Sequence, residues 1–424
     1  MDTAVAHLSM ITPFPETKGD ARVRRILAAF AVALAVALLA GLGQSGADLL
    51  RNDRAVTDTD RPVTRTTGAD TASFGLRTVS FNMCGGQCNG GETAHLEQVV
   101  TKIGAFQPHL LMLQEVCWSQ HEWLKNRYAG TYEFGFTPML TTYTGCGARD
   151  CSVNTDGDPA NDDQRCWFGQ VVAARGALSN RDEIALGGER HQISQRDVGG
   201  PITQVRPERK FAALCYDVAL ADLPGRVVKG CSVHLRAFHD DALVNLRART
   251  AQAARLASDL DGDIAAGKVV VVAGDFNSTP ENGNSRVPRR SPTMNAFYRP
   301  ETQPGGGWGV FYEADQSDQR MWGFPDEGPC TPTSPRPTGC RSGERTVTDD
   351  DFVEAEAPAE DAVEGTKYDY IFYSELVSPS KISGDPFYLF LKDAAGRNVK
   401  NPDGTDKRIS DHAFYQAVGQ ISPS

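Results

Sequence analysis

The stretch Lys268-Val-Val-Val-Val-Ala-Gly-Asp-Phe-Asn277 decides how this 424-residue chain reads. Four valines lead through Ala273 into a turn at Gly274, and the turn presents two polar side chains, Asp275 and Asn277, just past a buried strand. Three other apolar runs end the same way: SFNMCG at Asn82, LMLQEV at Glu115 and CSVHL at His234. Two later pieces complete the set, KYDYIF with Asp369 and ISDHAF with Asp411 and His412. Carboxylates, amides and imidazoles placed repeatedly at strand ends are what metal-assisted phosphoryl transfer needs.

Each residue has a chemical role and an ordinary alternative. Glu115 terminates Leu110-Leu-Met-Leu-Gln-Glu, where an unpaired buried carboxylate would be unfavourable. A divalent cation would offset that penalty, so Glu115 is the first candidate metal ligand; a solvated strand end is the alternative. Asn82 precedes the turn Gly85-Gly86 and could coordinate through its amide oxygen or orient a phosphate. Asp275 is placed to hold and activate an attacking water, and Asn277 to steady the pentacovalent oxygens, unless the pair is only an Asx turn capping a core strand. His412 can donate to a non-bridging phosphate oxygen if a partner holds its tautomer, and Asp369 is that partner if their strands are adjacent. His234 can protonate the leaving oxygen. For either histidine alone, a buried hydrogen-bonded imidazole explains the pattern equally well. Asp411 would add negative charge on the metal side.

The N-terminus carries Arg22, Arg24 and Arg25 and then seventeen almost unbroken apolar residues, Ile26 to Leu42. This reads as a signal peptide over 1–47, with Ser45-Gly46-Ala47 offering cleavage before Asp48; an uncleaved anchor is the rival. All ten cysteines lie beyond the apolar run, which suits up to five disulfides in a secreted protein. The close pairs Cys84/Cys88, Cys146/Cys151 and Cys330/Cys340 suggest local loops. A zinc site at Cys84/Cys88 lacks a second pair of ligands. Four of the 43 basic and three of the 54 acidic residues precede Asp48, leaving a formal charge of −12. That argues against non-specific clamping of nucleic acid by a basic surface, but not against an enzyme whose local charge is reversed by bound cations.

Residues 48–74 read as a solvated tether and 75–424 as one large domain, with no internal repeat evident. Strands are expected over 76–82, 109–114, 169–175, 211–220, 226–234, 268–273, 368–373 and 412–419. Helices are expected over 94–106, 119–128 and 241–260. The mixture favours a sheet-rich α/β sandwich. Residues 141–166 and 283–362 look inserted and pinned by cysteines. The run Asn154-Thr-Asp-Gly-Asp158 lacks a calcium loop's distal Glu and reads as an acidic turn.

Asn82, Gln114-Glu115, His234, Gly274-Asp-Phe-Asn277, Asp369 and Ser410-Asp-His412, in this order from about residue 76 to 420, resemble the endonuclease/exonuclease/phosphatase superfamily. The resemblance implies a DNase I-like, four-layer α/β sandwich of two packed mixed sheets flanked by helices. It also implies Mg²⁺ (Mn²⁺ or Ca²⁺ as substitutes) at Glu115, water alignment by Asp275, phosphate contact by Asn277, charge stabilisation by His412 oriented by Asp369, and leaving-group assistance by His234. The pancreatic branch pairs the last histidine with a Glu; here the strand near Gly169 carries Gln170 instead.

A secreted, monomeric nuclease acting on DNA or RNA is the first expectation for substrate. A sphingomyelinase-type phospholipid phosphodiesterase would want an exposed aromatic loop, for which Phe297-Tyr298, Trp308 to Tyr312 and Trp322 are candidates. A phosphomonoester or inositol-phosphate phosphatase would want converging basic residues such as Arg206, Arg209 and Lys210. A binding module that kept the fold and lost the chemistry should have lost polar residues that this chain retains.

Overall fold

The computed structural model describes residues 73–141, 143–147, 164–187, 210–237, 242–279, 281–282, 289–290, 292–299, 308–314, 346–347, 367–377, 382–402 and 404–423. The apolar N-terminal run, residues 48–72 of the expected tether, the Asn154–Asp158 turn, Arg206, Arg209 and Trp322 lie outside these residues, as does most of the 283–362 segment; Phe74, expected to end the tether, is in a strand. No helix among the described residues is long and apolar enough to cross a membrane.

In chain order the strands are β1 (Phe74–Asn82), β2 (Leu110–Cys117), β3 (Glu133–Leu140), β4 (Phe168–Ala174), β5 (Ala177–Ala185), β6 (Ala212–Ala219), β7 (Val227–His234), β8 (Val269–Asp275), β9 (Glu281–Asn282), β10 (Arg289–Arg290), β11 (Tyr312–Glu313), β12 (Asp369–Tyr373), β13 (Ile382–Phe387) and β14 (Phe414–Ile421). The helices are α1 (Leu96–Phe106), α2 (Trp118–Arg127) and α3 (Ala242–Ala265). One six-stranded sheet runs β13-β14-β1-β2-β4-β3 and the other β11-β12-β8-β7-β6-β5, while β9 and β10 form a separate ribbon.

The apolar strands lack polar alternation because both their faces are covered. On β8, Val269, Val271 and Ala273 face the layer between the sheets, where they share a core with Leu76, Leu110, Met112 and Ile371. The intervening Val270 and Val272 pack outward under Ala253, Leu256 and Leu260 of α3. The other sheet repeats the pattern. Val79, Phe81, Leu111 and Leu113 turn outward to meet Leu96, Val99 and Ile103 of α1 and Leu124 of α2. The result is four layers, α/β/β/α, as the resemblance implies.

Each sheet is centred on a parallel pair. β1 pairs in parallel with β2 after α1, and β7 with β8 after α3. An antiparallel strand flanks each pair: β14 lies beside β1, and β12 beside β8. The carboxyl ends of the parallel strands and the amino ends of the antiparallel ones therefore share one rim. Asn82, Glu115, His234 and Asp275 come from the first set; Asp369 and His412 come from the second.

The structure departs from the sequence expectations at several places. β3 and β5 were not foreseen, β5 because it is largely solvated. Cys84 and Cys88 are bridged, but Cys146 pairs with Cys117 rather than Cys151, since the end of β2 brings the two Cα atoms to 5.6 Å. Cys215 and Cys231 join neighbouring strands. An internal repeat is present after all: Leu391-Lys-Asp-Ala-Ala-Gly-Arg-Asn398 is followed by Val399-Lys-Asn-Pro-Asp-Gly-Thr-Asp406. Equivalent positions close a ring of backbone hydrogen bonds, Leu391 N to Lys407 O, Lys407 N to Val399 O and Val399 N to Leu391 O. Phe297 and Tyr298 are fully buried against Phe372, which removes them as membrane-facing residues, whereas Trp308 is 58% exposed.

Candidate active site

Asp275 is the hub of the rim. Its Oδ2 lies 3.1 Å from the Asn82 Nδ2, which donates to it, 3.5 Å from His234 Nε2 and 3.7 Å from His412 Nε2. Its other oxygen accepts the Asn277 backbone N–H at 2.7 Å. The two sheets thus contribute opposite walls: Asn82 and Glu115 from one, His234, Asp275 and Asp369 from the other, with His412 entering just before β14.

Local backbone geometry aims these side chains. Gly274 has φ +156°, and a Cβ there would stand 1.9 Å from the Val233 carbonyl oxygen, so only glycine lets β8 approach β7 this closely. Asn277 follows at φ +46°, a left-handed conformation, with its Nδ2 donating to Leu235 O at 3.1 Å. Between the two, Phe276 is locked edge-on against Phe297, Tyr370 and Phe372, which pins the turn to the core. Glu115 sits at φ +56° in a bulge that breaks the β2–β4 register between Leu113 and Val116. The bulge separates the roles of two neighbours. Gln114 points inward and donates to Ser232 Oγ on the opposite sheet, while the half-buried Glu115 reaches the rim, 3.7 Å from His234 Nε2.

His412 Nδ1 is 2.8 Å from Asp369 Oδ2, so the expected partnership forms. The strands are not adjacent, however: β12 and β14 belong to different sheets, and the pair meets across the sandwich. The junction is closed by Thr346 and Val347, which nothing in the Pro- and Gly-rich surroundings signalled. Ser410 Oγ donates to Asn82 O and accepts the His412 N–H, fixing the last loop to β1.

Burial and charge act in opposite directions on the two central groups. Burial raises the Asp275 pKa, with His412 working against it and Asp369 and Glu115 reinforcing it, to about 7. Burial disfavours charged His412, yet the charges of Asp369, Asp275 and Asp411 outweigh it and hold the imidazole well above its ordinary value.

The rim contains more acceptors than donors. Asp275, Asp369 and Glu115 gather there, and the second oxygen of Asp369 is buried without a hydrogen-bond partner. Such a donor set fits a hard divalent cation, which needs only one or two protein carboxylates because it keeps its waters and takes substrate oxygens. Among the described residues, three candidate ligand groups lie within 4.8 Å of one another only at Cys84, Cys88 and Asp411. The two sulfurs there are bonded to each other and supply no thiolate, so this set does not fit a soft ion in the bridged state. Asp411 instead lies beside the bridge, 3.9 Å from Cys88 Sγ. The Asn82 amide oxygen accepts the Cys84 N–H at 3.0 Å, and its nitrogen is the atom that faces Asp275. Gln170, where the pancreatic branch would have an acid, is buried and donates to Ala212 O. Lys210 is drawn to Glu183.

A model of the "Endonuclease/Exonuclease/phosphatase family" matches residues 79–412. Among solved structures, truncated Caenorhabditis elegans TDP2 is similar at 12% identity over 82% of this chain and 98% of that one, with a TM-score of 0.46. An endonuclease/exonuclease/phosphatase from Bacteroides vulgatus is similar at 16% identity over 82% and 99%, with a TM-score of 0.45. The human Nocturnin catalytic domain with bound sulfate anion is similar at 16% identity over 82% and 95%, with a TM-score of 0.44. No curated protein matches by sequence.

Proposed function

Because the chain belongs to the endonuclease/exonuclease/phosphatase family, we propose that it is a secreted, divalent-metal-dependent phosphodiester hydrolase that cleaves DNA or RNA by in-line attack of water. The observation that carries this reading is the convergence of Asp275 Oδ2 with Asn82, His234 and His412 at one rim.

Asp275, held by the Asn277 N–H and the Asn82 amide, accepts the proton of the attacking water. Asn277 gives one amide hydrogen to Leu235 O, and an amide NH₂ carries a second that can meet a phosphate oxygen. His412, kept charged by Asp369, donates to a non-bridging oxygen as negative charge builds there. His234 protonates the leaving oxygen. Glu115, with Asn82 and Asp411 at the margin, would hold Mg²⁺, which when bound neutralises charge on the phosphoryl oxygens. Pairing of all described cysteines supports an oxidising destination. Residues 1–47 are proposed as the export signal, 48–73 as a tether and 74–424 as the catalytic domain, since Phe74 already pairs with Ile421.

Nicking of supercoiled plasmid by the purified chain with Mg²⁺ tests the reading, with excess EDTA and His412→Ala as controls. Nicking abolished by both controls supports it. Intact plasmid, with sphingomyelin or an inositol phosphate cleaved instead, would keep the hydrolase and reject the nuclease.

Proton linkage gives an independent check. A carboxylate whose folded pKa is about 7 against 3.8 binds its proton more tightly in the folded chain. Without a cation, stability therefore falls as pH rises from about 4 through 7. His412, raised in the fold, likewise contributes stability that is complete below 6.5 and lost as pH climbs through its folded value. Both effects have the same sign. In EDTA, Tm is expected to fall by several degrees between pH 5 and pH 8, at roughly 1–2 °C per kcal/mol for a domain of about 350 residues. Mg²⁺ or Mn²⁺ should restore more of it at pH 8 than at pH 5. A cation effect independent of pH would dissociate metal binding from these groups.

A further inference from the structure

We infer that Thr346 is a positioning residue that sets the alignment of Asp369 with His412; this rests on the hydrolase reading above. Asp369 opens β12 and His412 lies two residues before β14, in a different sheet, so no ladder between β12 and β14 fixes their separation. Thr346 and Val347 supply what the ladder does not. The Thr346 hydroxyl is fully buried and accepts two backbone N–H groups, from Tyr368 and from Asp369 itself, each at 3.0 Å. Its carbonyl oxygen accepts the N–H of Ala413 at 2.6 Å. Val347 forms a bridge with His412. Two consecutive residues thus hold the backbone of Asp369 on one side and of His412 and Ala413 on the other, and the side chains of the held residues meet at 2.8 Å.

The chemistry demands a hydroxyl at this point. One oxygen with two lone pairs satisfies both N–H groups at the start of β12. A methyl in its place leaves two buried donors unpaired, and the start of β12 would shift to find partners. A displacement of about 1 Å in a catalytic group far from the altered side chain can lower turnover about 10²-fold. Thr346 does not itself reach Asp275 or the imidazoles; it acts through Asp369.

Thr346→Val, Thr346→Ala and Thr346→Ser would be compared in the wild-type and Asp369→Asn backgrounds. One readout is hydrolysis of bis(p-nitrophenyl) phosphate with Mg²⁺. The other is the low-field NMR resonance of the His412 Nδ1–H, assigned by its loss in His412→Ala. Val and Ala are expected to lower kcat about 10- to 100-fold with KM within about twofold, and to shift or broaden the resonance. Ser, which keeps the acceptor, should restore both to within about threefold of wild type. In the Asp369→Asn background the Val variant should add less than about twofold, because the alignment it supports is already lost.

Unchanged kcat and an unchanged resonance in both the Val and Ala variants would overturn the inference. So would a full multiplicative loss on top of Asp369→Asn, or failure of Ser to rescue. The underlying reading fails separately: His412→Ala and Asp369→Asn would then leave hydrolysis intact. The resonance reports on Thr346 whether or not this phosphodiester is turned over.

Discussion

Replacing Asp275 by Asn is expected to lower kcat by about 10³-fold or more while raising the Tm of the cation-free protein at pH 8. General base catalysis by a positioned group contributes about 10²- to 10⁴-fold, and Asp275 combines that position with contacts to Asn82, His234 and His412. The stability change has the opposite sign for a stated reason. The carboxylate is buried, repelled by Asp369 and Glu115, and pushed up to about 7, so its ionised form strains the fold above neutrality. Asn fills the same volume without the charge. Loss of activity together with a lower Tm would instead make Asp275 a structural residue. Turnover within tenfold of wild type would remove it from the chemistry.

Replacing His412 by Ala is expected to lower kcat about 10²- to 10³-fold, the range seen when one donor to developing negative charge is removed. The imidazole is buried, bonded through Nδ1 to Asp369, and presents Nε2 towards Asp275 and Asn82. Asp369→Asn should have a smaller effect, since Asn keeps the shape but withdraws the charge that holds the imidazolium. The double variant should be little worse than His412→Ala alone, because the Asp369 carboxylate bonds the histidine directly and acts on Asp275 only through its charge. Steady-state kinetics on one soluble phosphodiester settles this: additive losses would separate the two residues into independent roles.

Much of this arrangement is legible in the chain because a buried strand that ends in a polar side chain leaves few places for that side chain to go. Asn82, Glu115, His234 and Asp275 follow strand-like, largely buried runs, and parallel pairing delivers those ends to a common rim. The Asp369–His412 contact was foreseen, but its route was not. A strand sequence carries no label for the sheet it joins, and these two joined different ones. Thr346 was invisible for a related reason: its contacts are to backbone at both ends of a gap, and the short stretch Glu344-Arg-Thr-Val-Thr348 has no periodicity to betray it. The pairing of Cys117 with Cys146 likewise depends on the course of the chain after β2, which spacing along the sequence does not report. The Leu391 and Val399 octapeptides show a third limit. With two copies, their likeness is short enough to pass for ordinary turn composition until the backbone ring joins them.

Because one sheet carries Asn82 and Glu115 and the other carries His234, Asp275 and Asp369, the two walls behave as the jaws of a caliper. Its opening is set by the slab of side chains between them, including Leu110, Met112, Val269 and Val271, and by the cross-strut from Gln114 to Ser232. The calibration of the chemistry therefore resides in apolar volume that no substrate touches. Shaving a methylene from that slab would narrow the jaws without altering a single polar group, so drift in the interior, as much as change at the rim, can retune the rate of such a molecule.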